Sequence, residues 1–187
     1  AFAYQNKGKH LITTSVEHSS VLESFQDLES FFGFEVTYLP VDSDGRVSSN
    51  DLKNALRSDT TLVSIMAINN ETGTIMPIQD CAKVIHENSR AIFHVDAVQA
   101  LAKININFKN IDCASFSAHK INGVKGSGFF FKKNHVLCHP ILTGGQQENG
   151  LRPGTPNAIH HILFAKTLRL ALENKHNSVK MIKDYLI

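Results

Sequence analysis

The sequence has few cysteines, no tryptophan, no excess of charge of one sign and no long apolar run. Its 19 Lys and Arg residues face 17 Asp and Glu residues, so the formal net charge is only +2. Such an even balance of charge gives no electrostatic basis for binding nucleic acid or a membrane surface. The longest apolar run, residues 61–68, is far shorter than the ~18 residues of a membrane-spanning helix. We therefore expect neither nucleic acid nor a membrane among the partners.

The three cysteines are too few and too widely spaced for a disulfide framework. Cys81, Cys113 and Cys138 form no C-x-x-C pair, which favours a reducing compartment and predicts a cytoplasmic location. Ten histidines are present, but none of them falls in an H-E-x-x-H motif or a Cys/His cluster. The sequence therefore predicts no metal site.

The apolar content, 42% of 187 residues, is enough for one domain with a real core. Short β-prone runs alternate along the chain with segments whose apolar residues recur at helical spacing. Helices are predicted to begin near Ser20 and Ser48, from their capping-box spacing, and at Pro77 and Asn157. Strands are predicted at residues 10–14, 35–39, 61–68, 91–95, 113–117 and 128–131.

This alternation of strand and helix predicts an α/β fold with a mostly parallel sheet flanked by helices. Such sheets bind ligands beyond the carboxyl ends of their strands, so chemistry is expected in the residues that follow each strand. Those segments are rich in polar residues and glycine, and they comprise residues 15–18, 69–73, 96–99, 115–128 and 143–155.

Taken one at a time, these strand-end groups have ordinary structural explanations. Asp96 alone would be a helix cap, His18 alone a hydrogen-bonded structural histidine, and Lys120 alone a solvated surface lysine. The glycines at 123, 126 and 128 form neither a G-x-G-x-x-G nor a loop ending in G-K-[ST]. Together, however, the groups match what pyridoxal phosphate requires: a lysine for the Schiff base, an acid facing the pyridine nitrogen and donors for the phosphate.

In this combination of motifs the chain resembles a known family, the cysteine desulfurases, the class V branch of the pyridoxal phosphate aminotransferase fold. The matching segments occur in the order and near the spacing of the family, and the resemblance covers roughly residues 8 to 173. They are V-E-H at 16–18, I-N-N-E-T-G at 68–73, F-H-V-D-A-V-Q-A at 93–100, S-F-S-A-H-K-I-N-G at 115–123 and G-G-Q-Q-E-N-G-L-R-P-G-T at 144–155.

The resemblance implies the type I fold of pyridoxal-phosphate-dependent transferases and a set of residues around the cofactor ring. Lys120 would form the Schiff base with the cofactor. His18 would stack on the ring and help to move protons, so these two residues would be catalytic. Asp96 would hold the pyridine nitrogen, and Gln99 would bond the oxygen of the ring hydroxyl.

The resemblance also implies groups for the phosphate and the substrate. Ser117 and His119 would hold the phosphate, and Asn70 would lie near the substrate carboxylate and the ring oxygen. Thr155 would reach the phosphate of the cofactor in a neighbouring subunit, which implies a homodimer.

The implied reaction is removal of sulfur from L-cysteine, which gives L-alanine and an enzyme persulfide for iron–sulfur cluster assembly or other sulfur carriers. A scaffold or sulfur-acceptor protein would then be a partner. Two alternatives stay open at this stage. One is a class V relative with another reaction, an aminotransferase or a selenocysteine lyase. The other is a non-catalytic core that has kept the sheet, against which the joint presence of His18, Asp96 and Lys120 argues.

The sequence departs from the family at both ends and at one loop position. By the resemblance, residues 1–173 are a partial large domain that lacks its N-terminal part, and residues 174–187 begin a connection to a C-terminal small domain. The nucleophilic cysteine of the family would lie beyond Ile187, so this chain by itself is expected to be inactive. The three cysteines present are instead expected to serve packing. Pro153 stands where the family has a small residue in its Arg-x-Gly-Thr motif.

Overall fold

A computed structural model describes residues 1–173, so the predicted connection at 174–187 lies outside the described residues. One six-stranded sheet runs through the molecule in the order β2-β1-β3-β4-β5-β6. Neighbouring strands from β2 to β5 pair in parallel, and β6 pairs antiparallel with β5. This arrangement confirms the expected mostly parallel sheet. The strands are β1 (His10–Thr14), β2 (Glu35–Leu39), β3 (Thr60–Met66), β4 (Ile92–Asp96), β5 (Cys113–Ser117) and β6 (Gly128–Lys132).

Within residues 1–173, four α-helices connect or follow the strands: α1 (Ser19–Phe32), α2 (Ser49–Ala55), α3 (Ile78–Asn88) and α4 (Ala158–Glu173). α1 begins at Ser19, one residue before the predicted Ser20, and its capping residue is His18 rather than the serine two positions later. Its Nδ1 accepts a hydrogen bond from the Ser20 backbone, a role that imidazole shares with Ser and Asp side chains. As predicted, α1 ends at Gly33, where the backbone turns left-handed with φ of +68°.

The core lies around the central strands, and most of the apolar residues of β3 are buried in it. Val63 and Ile65 are fully buried on β3, and Phe93 is fully buried on β4. Leu52 from α2 and Ile85 from α3 complete the same cluster. Each fully buried side chain of this size contributes about 1.5–3 kcal/mol through removal of apolar surface from water. Within residues 1–173, no helix has the length and apolarity that crossing a bilayer requires.

The strand register brings the carboxyl ends of β3 and β4 level with each other and with the middle of β5, which continues two residues further. Met66 at the end of β3 lies opposite Asp96 at the end of β4, and Asp96 lies opposite Ser115 on β5. Residues that are 30 and 19 positions apart along the chain therefore meet at one edge of the sheet. This edge is where the sequence places its polar segments.

Ala102, in the turn segment after β4, has a left-handed backbone with φ of +60°. An L residue there is disfavoured by about 1–2 kcal/mol, whereas glycine has no Cβ to clash. We expect Ala102→Gly to raise the free energy of unfolding of the purified protein by roughly 0.5–1 kcal/mol in urea denaturation.

The matched control is Ala165→Gly, which makes the same chemical change at an exposed position inside α4. It should lower the free energy of unfolding by about 1 kcal/mol. A loss of stability in Ala102→Gly equal to that in the control would contradict the strain assigned to Ala102.

Candidate functional site

His18 lies where β1 gives way to α1, at the carboxyl edge of the sheet. Its side chain is exposed, and its Nδ1 lies 3.1 Å from the Ser20 backbone nitrogen and 2.8 Å from Ser20 Oγ. The backbone N–H can only donate, so Nδ1 accepts this bond and a neutral ring carries its proton on Nε2. The cap thus fixes the tautomer and leaves Nε2–H as the free donor of the ring.

Asn69, which the sequence analysis missed, joins the turn after β3 to the segment before His18. Its Nδ2 donates to the Val16 carbonyl oxygen at 2.9 Å, and its Oδ1 accepts from the backbone N–H groups of Glu71 and Thr72 at 2.9 Å. Asn69 is buried, whereas the next residue, Asn70, is exposed. The two segments enclose a cavity of about 420 Å³, lined by Ser15, Val16, Glu17, His18, Ser19, Asn69, Asn70, Glu71 and Thr72. The structure therefore brings His18 and Asn70 to one cavity.

Asp96 ends β4 and turns the chain there, because its Oδ1 accepts the Val98 backbone N–H at 2.9 Å. Burial raises the pKa of the Asp96 carboxyl, and the Val98 N–H and the nearby His18 act in the opposite direction. No Lys, Arg or His nitrogen of the described chain forms an ion pair with this carboxyl. A half-buried acid without a cationic partner is suited to a positively charged ligand.

Gln99 follows Asp96 by three residues and is oriented by a lysine that the sequence analysis did not single out. Lys103 Nζ lies 2.9 Å from Gln99 Oε1. An ammonium group can only donate, so the amide oxygen faces Lys103 and the amide NH₂ remains available to donate. Burial and the charge of Lys120 lower the pKa of Lys103, which places Lys120 within electrostatic range of this pair.

Lys120 and His119 are exposed on a 3-10 turn, Ala118–Ile121, directly after β5. The turn is tight, because a Cβ at Gly123 would come within 2.8 Å of the Ala118 carbonyl oxygen. Gly123 therefore allows a close backbone approach that a larger residue would prevent. Ser117, the last residue of β5, is half-buried.

A second cavity, of about 490 Å³, opens on one face of the sheet. Asp96 and Ser117 both line it, so the expected ring-binding acid and one expected phosphate donor share one space. His94 lines it as well, two residues before Asp96 on the same face of β4. Its ring bridges Ser64 Oγ at 2.8 Å and Ser115 Oγ at 2.9 Å, and burial lowers the pKa of His94 to about 4.

The loop from Gly144 to Thr155 is exposed over most of its length, and Thr155 at its end is exposed. The Thr155 side chain forms no hydrogen bond within residues 1–173, and it lines neither the cavity with His18 and Asn70 nor the one with Asp96 and Ser117. Pro153 packs close to Gly144, where an added Cβ would come within 2.9 Å of the Pro153 Cβ. The backbone at Gly144 has φ of +156°, a conformation that L residues rarely adopt.

Two of the three cysteines are buried, as expected for packing groups. Burial raises the pKa of Cys81 and of Cys113 to about 12 each, which leaves both thiols protonated and unreactive at neutral pH. Cys138 is half-buried and lines the larger cavity with Cys113. No group of three His, Cys, Asp or Glu side chains suited to a metal occurs in the described part of the chain.

We expect iodoacetamide at pH 8 to alkylate Cys138 at least 10-fold faster than Cys81 or Cys113 in the folded protein. At this pH only about one in ten thousand thiols with a pKa near 12 is ionised, and the thiolate is the reactive form. Peptide mapping by mass spectrometry would give the three rates. In urea the three rates should converge. Equal rates for Cys81 in the folded and the unfolded protein would contradict its protected thiol.

Comparison with known proteins gives a consistent result. The family described as "Aminotransferase class-V" matches residues 1–186. All of this chain aligns with "NifS/IcsS protein homolog" of Lactobacillus delbrueckii subsp. bulgaricus at 46% identity over 190 residues, covering 49% of that protein. All of it also aligns with "Cysteine desulfurase IscS" of Dictyoglomus turgidum at 45% identity over 192 residues, covering 48% of that protein. The chain thus spans about half the length of the curated relatives it matches.

Solved structures show the same likeness in three dimensions. A structure titled "NIFS-LIKE PROTEIN" superimposes with a TM-score of 0.90 at 42% identity, over 94% of this chain and 48% of the other. A structure titled "SspA in complex with cysteine" superimposes with a TM-score of 0.82 at 38% identity, over 92% of this chain and 49% of the other.

Proposed function

The chain belongs to the class V aminotransferase family, and on that premise we propose that the protein is a cysteine desulfurase dependent on pyridoxal phosphate. It would remove sulfur from L-cysteine as a persulfide on an enzyme thiolate and release L-alanine. The observation that carries the proposal is the meeting of His18, Asp96 and Lys120 at one sheet edge, in a chain 45% identical to a named cysteine desulfurase.

The residues present fit pyridoxal phosphate. The Asp96 carboxyl is half-buried and has no ion pair within residues 1–173, so a pyridinium N–H would supply the charge it lacks. Lys120 is exposed beside the same edge, which suits covalent attachment. Ser117 shares a cavity with Asp96 and offers a hydroxyl for the phosphate, with His119 next to it on the turn. When bound, the cofactor withdraws electrons from the α-carbon of the attached amino acid.

Four side chains of this chain would hold the cofactor and the substrate and move the protons. Lys120 would hold the cofactor until a substrate amine replaces its Nζ. His18 would cover the ring and donate a proton from Nε2, because its Nδ1 is engaged by the helix cap. Gln99, with its oxygen turned to Lys103, would donate its NH₂ to the ring hydroxyl oxygen. Asn70 would lie near the substrate carboxylate, on the cavity it shares with His18.

The remaining parts of the proposal concern the assembly. Thr155 is exposed at the end of a loop and has no side-chain partner within residues 1–173, which suits a contact with the phosphate of a second subunit in a homodimer. Sulfur would pass to a scaffold or sulfur-acceptor protein of iron–sulfur cluster assembly or another sulfur pathway. A cytoplasmic location belongs to the same proposal.

The function is tested on the purified full-length protein supplied with pyridoxal phosphate, L-cysteine and a thiol reductant. We expect alanine and sulfide in equal amounts. Borohydride reduction followed by peptide mapping should place the pyridoxyl group on Lys120. Lys120→Arg keeps the charge but cannot readily form the imine, so it should bind no cofactor covalently and lose activity by about 1,000-fold or more.

Two results would contradict the proposed reaction. A keto acid formed in place of alanine would indicate an aminotransferase, and release of selenide from selenocysteine without sulfide from cysteine would indicate a selenocysteine lyase. An adduct on a different lysine would overturn the role of Lys120 alone.

Asp96→Asn should retain the cofactor but slow exchange of the substrate α-proton with deuterated solvent by about 100-fold or more, because a neutral amide does not stabilise the pyridinium. The exchange is measured by NMR of the amino acid. Asp80→Asn, the same change at an exposed position on α3, is the matched control and should leave the exchange rate unchanged. Near-normal exchange in Asp96→Asn would refute the role of this carboxyl.

A further inference from the structure

The segment that carries His18, Ser15–His18, is held to its surroundings at several points. The Ser15 backbone N–H donates to the carbonyl oxygen of Leu39, the last residue of β2, at 2.9 Å. The Val16 carbonyl oxygen accepts from Asn69, as described above. The third attachment is made by the side chain of Glu17, which immediately precedes His18 and is only 5% exposed.

One carboxyl oxygen of Glu17 joins the ends of two strands. Its Oε1 accepts hydrogen bonds from Thr14 Oγ1 and from the Met66 backbone N–H, both at 2.8 Å. Thr14 is the last residue of β1, and Met66 is the last residue of β3. The carboxyl therefore fixes the residue before His18 against the end of β3, 49 positions further along the chain.

The other oxygen, Glu17 Oε2, is buried and has no hydrogen-bond partner within the described residues. An ionised carboxylate in this place would lack compensation on one oxygen, which is costly, whereas a neutral acid costs less. Asp96 adds a negative charge nearby, since it lies opposite Met66 in the sheet. Burial is the largest cause that raises the pKa of Glu17, and the charge of Asp96 raises it slightly further. The hydrogen bonds from Met66 and Thr14 lower it, and the resulting pKa is about 7. The other titratable groups at the cavity beside Glu17 are His18 on its own segment and Glu71 on the turn after β3.

We propose that Glu17 is a positioning residue, whose carboxyl clamps Ser15–His18 to the end of β3 and thereby holds the His18 ring in place. The last step, from His18 to a bound cofactor ring, rests on the proposed function; the clamp itself does not. Below about pH 7 the neutral form of the carboxyl dominates, and in that form it accepts both hydrogen bonds through Oε1 without placing a second negative charge beside Asp96.

The clamp is tested by hydrogen–deuterium exchange of the full-length protein without cofactor. In Glu17→Leu, which keeps the bulk but removes the acceptor, we expect the peptide over residues 15–25 to exchange at least fivefold faster. In Glu17→Gln, which keeps an acceptor oxygen, the rate should stay near that of the wild type. A peptide from α3 reports global stability and should be unchanged in both variants. Equal exchange over 15–25 in Glu17→Leu and the wild type, or equal acceleration in α3, would overturn the clamp.

The neutral state is tested on the wild type by labelling methionine with ¹⁵N and following the Met66 amide signal with pH. Its acceptor changes charge when Glu17 ionises, so the signal should shift with a midpoint near pH 7, and Glu17→Gln should abolish the shift. A midpoint below pH 5 would show a charged carboxylate under neutral conditions and would overturn this part of the proposal.

The link to the cofactor is measured by the circular dichroism of added pyridoxal phosphate, which reports the asymmetry around its ring. We expect Glu17→Gln to keep the band and Glu17→Leu to lose at least half of it. Equal bands in Glu17→Leu and the wild type would overturn the positioning of His18. A wild type with no band at all would contradict the proposed function, while the exchange and methionine results would still decide on the clamp.

Discussion

Parallel pairing of the central strands is the constraint on which the rest of the structure depends. Since β1, β3, β4 and β5 all run in one direction, their carboxyl ends share one edge, and every expected ring-binding group follows one of those ends. The register of Met66, Asp96 and Ser115 ends β3 and β4 at the same level, with the end of β5 two residues beyond it. In an alternating antiparallel sheet of the same strand order, the groups that follow β3 and β5 would lie at the opposite edge, which would separate Asn70 and Lys120 from His18 and Asp96.

Hydrogen bonds then convert this coarse alignment into a defined geometry. Polar side chains that do not belong to the expected ligand set make most of them: Asn69 holds the segment before His18, Lys103 turns the Gln99 amide, and His94 ties β3 to β5 through two serines. Asn69 and His94 are satisfied by partners on other strands or segments, whereas Lys103 finds its partner in its own turn segment. The proposed catalytic groups, in contrast, are left exposed at the rim, where a ligand can reach them.

The fold was largely predictable from the sequence, and the supporting groups of the site were not. β1, β2 and β5 have the predicted bounds because turn residues or changes in polarity delimit them, and the apolar run of β3 indicated its burial on both faces. The start of α1 was misplaced because the serine spacing competes with a histidine cap, which local patterns do not reveal. Glu17, Asn69 and His94 were missed since their roles depend on partners from 3 to 53 positions away, which only the sheet register defines. The roles of the eight expected site residues remain predictions.

The long separation between paired strands also has a consequence for how the molecule folds. β1 is synthesised before its neighbours and can pair with β2 soon afterwards, but its other neighbour, β3, begins about 50 residues later, and β5 follows only at Cys113. Non-local parallel pairing of this kind is slow, and it leaves apolar strand faces such as that of β3 exposed in the meantime. The carboxyl edge is complete only after β5 has joined the sheet. The proposed cofactor, which would contact residues from His18 to Lys120, would therefore have no complete site until β5 has paired, and would stabilise the finished sheet rather than guide its assembly.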